Sequence, residues 1–338
     1  MSALGDAVHV LPVVTALKRH RPSCRITWIL QPGPASLVRG HPAVDEIIVF
    51  RRSRGWRAFV DIARELRTRE FDLVIDFQVY LKAGIVTALT RAPVKLGFDR
   101  KRARDFNWLF TNRRIPPHPT GQHVQDQYFE FLADLGVPWE PVTWNLGPWP
   151  GEESIDAEFY AKIDRPIATI VVATSKPVKD WPAERWAEVV DVLYEQYGLQ
   201  PVLAGGDTPA DHRAVEVIRR LARHKPVEKI GGTLRAMVGL LSRSALVLSP
   251  DTGPMHMAIA LDRPVIGLCG YLDPRRVGPY RKYQDLVINA YHDPGEVAPI
   301  SWAPRFGRMP RIQVADVLEK VRVWHERYDR RISRPEGA

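Results

Sequence analysis

Two groups of residues have the types and spacing for chemistry. The first lies in residues 248–280, LSPDTGPMHMAIALDRPVIGLCGYLDPRRVGPY. There an apolar run reaches Pro250, Asp251-Thr252-Gly253 supplies helix-cap chemistry, and Pro254 suits the first helical position, where its missing N–H would have had no partner. Helix N–H groups that open beside the carboxyl end of a strand form an anion site in α/β proteins. A plain capped helix is the other account of the same residues. The second group is Thr174-Ser175 at the end of another apolar run, followed by Lys179-Asp180-Trp181-Pro182 at the entrance to a helix. Hydroxyls and an ammonium at that position make a cradle for a diphosphate. Taken alone, Lys179 reads as a surface lysine.

Several chemistries are excluded by what the chain lacks. It has neither GxGxxG nor GxxxxGK[ST], so the dinucleotide fingerprint and the Walker loop are absent. Leu203-Ala204-Gly205-Gly206-Asp207 is a strand and glycine turn compatible with close approach of a nucleotide, but weak by itself. No Asp-x-Asp pair and no His/Cys cluster with metal-ligand spacing occurs, so nothing in the sequence requires a metal. The net charge of +9 points to an anionic partner. The most basic stretch, 95–114, carries Arg100, Lys101, Arg102 and Arg104. It reads as a solvated loop or as a platform for an anionic acceptor. The interleaved Phe106, Trp108 and Phe110 would also permit contact with a membrane surface. A nucleic-acid partner has no docking motif to support it.

The elements that must position these residues alternate between strand and helix. Strand-like runs at 25–30, 46–50, 71–77 and 94–98 are separated by helical patterns, and a one-faced helix over the first residues ends near Lys18-Arg19. A second series has strands at 167–173, 201–204, 227–230, 244–249 and 265–268, with helices at 182–197, 210–223, 234–243 and 255–261. The expectation is two doubly wound parallel α/β domains. The first covers 1–145, a proline-rich linker 146–165, the second domain 166–310, and a helix and tail 311–338. A chain of 338 residues with 45% hydrophobic content can build two cores. Cys24 and Cys269 are too few for a disulfide framework and fit a reducing cytosol.

Leu4-Gly5-Asp6 before the first helix, Thr174-Ser175 with Lys179-x-Trp181-Pro182, and Ser249-Pro250-Asp251-Thr252-Gly253-Pro254-Met255-His256 followed by Asp273-Pro274 and Gly278-Pro279-Tyr280 together resemble the lipopolysaccharide heptosyltransferases, glycosyltransferase family 9. The similarity runs in order over nearly the whole chain. It implies a GT-B fold, with two Rossmann-like domains facing a cleft and the donor held by the second. It implies inverting, metal-independent transfer of heptose from ADP-heptose to the lipopolysaccharide inner core, with no cofactor besides the nucleotide-sugar substrate. The acceptor would be an anionic glycolipid, reached from the cytoplasm with transient contact at the inner-membrane surface. On this resemblance Asp6 is the general base and Lys179 offsets charge on the leaving diphosphate. Thr252, Gly253 and His256 contact donor phosphate and sugar, Asp251 faces sugar hydroxyls, and Thr174 and Ser175 line the same pocket. The adenosine end falls near Asp207 and Met237. An ionised Asp at a helix N-terminus needs no raised pKa to accept a proton; helix capping is the alternative role for Asp6.

Family members begin with a strand before the Gly-Asp loop, and this chain starts inside that loop. The expectation is therefore an N-terminal domain without its first strand. Other readings left open are a same-fold transferase using another nucleotide sugar or acceptor, and a catalytically silent nucleotide-sugar-binding module.

Overall fold

Runs rich in Val, Ile and Leu become short parallel strands, and the helices between them cover the strand faces. The computed structural model describes residues 4–119 and 121–329. The chain divides into two units, Met1–Asn145 and Leu146–Ala338.

In the first unit the strands are β1 (Thr27–Leu30), β2 (Glu46–Val49), β3 (Leu73–Ile75), β4 (Val94–Gly97) and β5 (Arg113–Arg114). All pairings are parallel, but they form two separate sheets, β1-β2 and β3-β4-β5. Among the described residues β1 and β3 each pair on one side only. The expected alternation is present, and among the described residues it is divided between these two sheets. The first helix, Leu4–His20, already includes Gly5 and Asp6, so Asp6 sits in its first turn rather than in a loop before it. Every residue from Ala7 to Ala16 is buried. The helix is therefore enclosed all round instead of presenting one apolar face. Its anchor to the helix Val124–Asp134 is polar: His9 Nδ1 lies 3.2 Å from Gln125 Oε1, and Gln125 Nε2 donates to the His9 carbonyl at 2.8 Å.

The second unit holds β6 (Ile167–Val171), β7 (Gln200–Gly205), β8 (Val227–Ile230), β9 (Ser244–Pro250), β10 (Val265–Cys269) and β11 (Val287–Asn289). They form one parallel sheet in the order β11-β10-β9-β6-β7-β8. The chain runs outward from β6 through β7 to β8, then returns to place β9 on the other side of β6. That reversal opens a crevice at the carboxyl ends of β6 and β9, where open α/β sheets bind ligands. β6 and β10 are wholly buried, as strands covered by helices on both faces must be. The core beneath includes Trp186 and, from the helix Val314–Tyr328, Val317, Val321 and Trp324. The proline-rich segment after residue 145 also packs on this unit: Glu152 pairs with Arg235, and Lys229 Nζ lies 2.8 Å from Asp156.

Candidate active site

The predicted donor residues stand at the carboxyl ends of three parallel strands and on one helix. Thr174 and Ser175 follow β6, Asp207 follows β7, and Asp251 and Thr252 follow β9; Met237 lies on the helix Leu234–Arg243 after β8. Lys179 reaches the loop after β9 because the segment bearing it is pinned at both ends. On one side the Thr174 amide donates to Asp180 Oδ1 at 2.7 Å, and the Thr174 hydroxyl donates to the Lys176 carbonyl at 2.8 Å. On the other, Trp181 is buried, donates to the Ile312 carbonyl at 3.0 Å and meets Trp186 edge to face. The tryptophan following Lys179 is thus the anchor of the loop. Burial pushes the Asp180 carboxyl above its ordinary value, against the pull of its bonds to Thr174.

Lys179 Nζ donates to Asp251 Oδ2 at 2.7 Å and to the Asp251 carbonyl at 3.0 Å. His256 Nε2 lies 3.6 Å from Asp251 Oδ1. Burial alone would raise the Asp251 pKa, but His256 and the Lys179 cation outweigh it and hold the carboxyl below the ordinary range. Asp251 is therefore a buried carboxylate that fixes an ammonium and an imidazole. Its side chain is 7% exposed, with Lys179 and His256 as its charged neighbours. Thr252 is the N-cap of the helix Gly253–Ala260 without a side-chain capping bond, with Pro254 in the first turn. The N-terminus of this helix and the Lys179 ammonium converge on one loop, an arrangement that attracts a polyanion.

Two residues not singled out from sequence join this cluster. Lys176 and Lys179 each place Nζ 5.6 Å from the centre of the Tyr271 ring. No local spacing signals the pairing, because Tyr271 comes from the far side of β10. Beyond it, buried Asp273 caps the helix Pro274–Val277 through Arg275 N (3.0 Å), and accepts from Arg275 Nη2 (2.8 Å) and Ser301 N (3.0 Å). Burial raises its pKa, and the Arg275 bonds and the Ser301 amide overcome this, leaving it depressed. The sequence signal Asp273-Pro274 is a loop brace. Cys269, next to this site, is fully buried, which pushes its thiol far up and keeps it neutral.

The remaining predicted residues are scattered in environment. Ser175 is exposed. Asp207 is exposed and lies 2.7 Å from His212 Nε2. Met237 packs against the Ile167, Val202, Ala204 and Leu240 cluster. In the first unit Asp6 is partly exposed in its helical turn. Arg100, Lys101 and Arg104 are exposed, whereas Arg102 is not. Its guanidinium is buried, paired with Asp99 and, at 2.6 Å, with Glu130, and donates to the Pro116 carbonyl. Arg102, expected as an acceptor contact, is instead an internal ion-pair member. Its partner Glu130 comes from the helix Val124–Asp134, invisible in the local run of basic residues. Among the described residues no three His, Cys, Asp or Glu side chains are grouped to hold a metal.

Two units of parallel α/β structure, with a tethered lysine and a helix N-terminus at the strand ends of the second, have the architecture of a GT-B-type fold. Glycosyltransferase family 9 (heptosyltransferase) matches residues 59–298, and the chain belongs to this family and is a glycosyltransferase. It is 30% identical over 332 residues to the lipopolysaccharide core heptosyltransferase OpsX of Haemophilus influenzae, covering 95% of this chain and 94% of that one. It is 30% identical over 300 residues to lipopolysaccharide heptosyltransferase 1 of Escherichia coli K12, covering 84% and 90%. Among solved structures it is similar to the E. coli heptosyltransferase WaaC with ADP, with TM-score 0.76, 25% identity and coverage of 96% and 97%. The family 9 glycosyltransferase of Veillonella parvula matches the fold with TM-score 0.81 at 22% identity, covering 95% and 94%.

Proposed function

We propose that this protein transfers heptose from ADP-heptose to the inner core of lipopolysaccharide, with inversion and without a metal. The observation that carries the donor half is the Lys179 ammonium held on Asp251 at the N-terminus of the helix Gly253–Ala260. A sugar diphosphate set there meets the helix N–H groups, Lys179 and Lys176, which offset the charge that grows on the leaving group. Asp251 and His256 keep Lys179 in place, and Thr252 and Gly253 border the phosphates. Thr174 and Ser175 flank them, and the base extends toward Asp207 and the start of the helix bearing Met237. In the transfer the acceptor hydroxyl oxygen bonds to the anomeric carbon as the bond from that carbon to the diphosphate oxygen breaks. Asp6 takes the hydroxyl proton, and ADP leaves with the bonding electron pair. Attack on the face opposite the leaving group inverts the anomeric centre.

The names of the relatives, both lipopolysaccharide heptosyltransferases, and the ADP bound to WaaC support this choice of donor and acceptor. An anionic glycolipid acceptor suits the exposed Arg100, Lys101 and Arg104. In this reading the protein meets its acceptor at the cytoplasmic face of the inner membrane. A thermal-shift panel of ADP, UDP, GDP and CMP tests the donor. Ligand that binds the native state raises the transition by mass action, and the shift is expected with ADP alone. A larger shift with another nucleotide would transfer the reading to a different activated sugar. A nucleotide shift without turnover on any acceptor would leave a binding module.

A further inference from the structure

A compact patch of the first unit combines exposed apolar side chains with unburied cations. The helix Leu81–Leu89 and the 3₁₀ turn Asn107–Phe110 are lashed together. The Phe110 ring packs where a Cβ on Gly84 would stand, so that close approach requires glycine. Buried Asn107 donates through Nδ2 to the Tyr80 carbonyl at 3.1 Å and to Asp76 Oδ2 at 2.9 Å, and the Arg104 amide donates to the Val79 carbonyl at 2.7 Å. These ties hold four side chains in one neighbourhood while leaving them in solvent: Phe106 (67% exposed), Leu109 (58%), Tyr80 (49%) and Leu81 (40%). Asp105 and Phe106 both take left-handed backbone conformations, φ 49° and 59°. An aromatic residue held there is strained, and an exposed ring returns no burial to offset the strain. Around it stand exposed Lys82, Lys101, Arg104 and Arg100, the last over the Trp108 ring at 4.2 Å, with Asp105 the one exposed acid in 95–114 among the described residues.

We propose that this patch docks on an anionic phospholipid surface, with Phe106 and Leu109 entering the interface, Tyr80 and Leu81 as their collar, and the cations on lipid phosphates. The occupant follows from charge complementarity. Two short apolar insertions are too weak to hold a protein on a bilayer, and a ring of cations supplies the second signal that reversible binding needs. The buried Asp76 and Asn107 underneath keep the turn shaped before contact, so little ordering is lost on docking. The proposal builds on the glycolipid reading of the acceptor and shares Arg100, Lys101 and Arg104 with it, whereas Phe106 and Leu109, the residues substituted in the test, lie outside the donor, acceptor and catalytic assignments.

The test is co-sedimentation of the full chain with vesicles of phosphatidylcholine alone and of phosphatidylcholine mixed with phosphatidylglycerol. Binding is expected to the mixed vesicles, weakening by about fivefold for each cation screened by salt. Phe106→Asn with Leu109→Ser should lower partitioning by about tenfold. Asn favours the left-handed conformation, so the variant should melt no lower than the parent. Its ADP-induced shift and turnover on a delipidated, water-soluble acceptor should be unchanged. Leu109→Ser alone gives a smaller loss and serves as the control on folding. A parent chain that stays in solution with mixed vesicles at low salt overturns the proposal, as does a folded double variant that partitions like the parent. Asp6→Asn should still sediment with vesicles, which separates failure of this surface from failure of the catalytic reading.

Discussion

The second unit carries its site on one six-stranded parallel sheet, while the first distributes the same strand-helix alternation over a pair and a triplet of strands. β6 and β10 are buried from end to end, but β3 is only partly buried and β1 has one fully buried residue. Strands paired on both sides and covered on both faces give fixed ends, and fixed ends hold Lys179 and Asp251 at hydrogen-bonding distance. In the first unit the corresponding rigidity comes from polar ties: Gln125 to His9, Glu130 and Asp99 to Arg102, and Asp76 to Asn107 and Thr87. The difference shows two ways of positioning functional side chains. One is a continuous hydrogen-bonded ladder; the other is a set of buried carboxylates and amides that brace loops.

The sharpest way to break that comparison is Asp6→Asn, which should lower turnover by about 10²- to 10⁴-fold while the ADP thermal shift persists. Full activity would remove the base from the first unit. Next comes Lys179→Ala, with an expected fall in kcat of about 10²- to 10³-fold and a loss of about 3 kcal/mol on denaturant unfolding, because buried Asp251 loses its partner. Adding Asp251→Asn should recover much of that stability without recovering activity. If the double variant is no more stable than the single one, the two side chains do not act as a buried pair.

Calorimetry against pH should then separate the units by sign. Asp251 has a depressed folded pKa, so its contribution is present above the ordinary carboxylate value and is lost as pH falls through the lower folded value. Asp76 is pushed the other way by burial, against its bonds from Asn107, Gln78 and Thr87. The folded state then holds its proton longer, and stability falls as pH rises from the ordinary value through the raised one. Asp251→Asn should remove the first dependence and Asp76→Asn the second. Matching profiles for both variants would contradict the contrast. The smallest effect concerns dynamics. By hydrogen exchange, amides of β1 and β3 should open before those of β6 and β9, since local opening follows the density of buried contacts. Equal protection would mean that the polar ties brace the first unit as well as the ladder braces the second.

Much of this was legible from residues alone. The strand runs of both units and the helix entrance at Thr252 and Pro254 follow from periodicity and cap chemistry. The environment of each charge was not. Arg100 and Arg102 stand in one basic run with the same local signal, yet Glu130 draws the second inside and leaves the first over Trp108. Phe106 and Phe110 alternate with Trp108 in sequence, but Gly84 receives Phe110 while Phe106 stays in solvent. Asp251 holds Lys179 and His256, a pairing across the chain that no local spacing signals.

What the sequence determined by itself is local. Alternating apolar runs form strands and helices, prolines and glycines end them, and capping residues start them, because those preferences act over a few neighbouring residues. What only the tertiary structure decided is which charges are buried and with whom. Lys179 meets Asp251, Tyr271 joins the two lysines, and Arg102 turns inward. Each outcome depends on desolvation and pairing between residues far apart in the chain, and those energies exist only after the strands have been laid side by side.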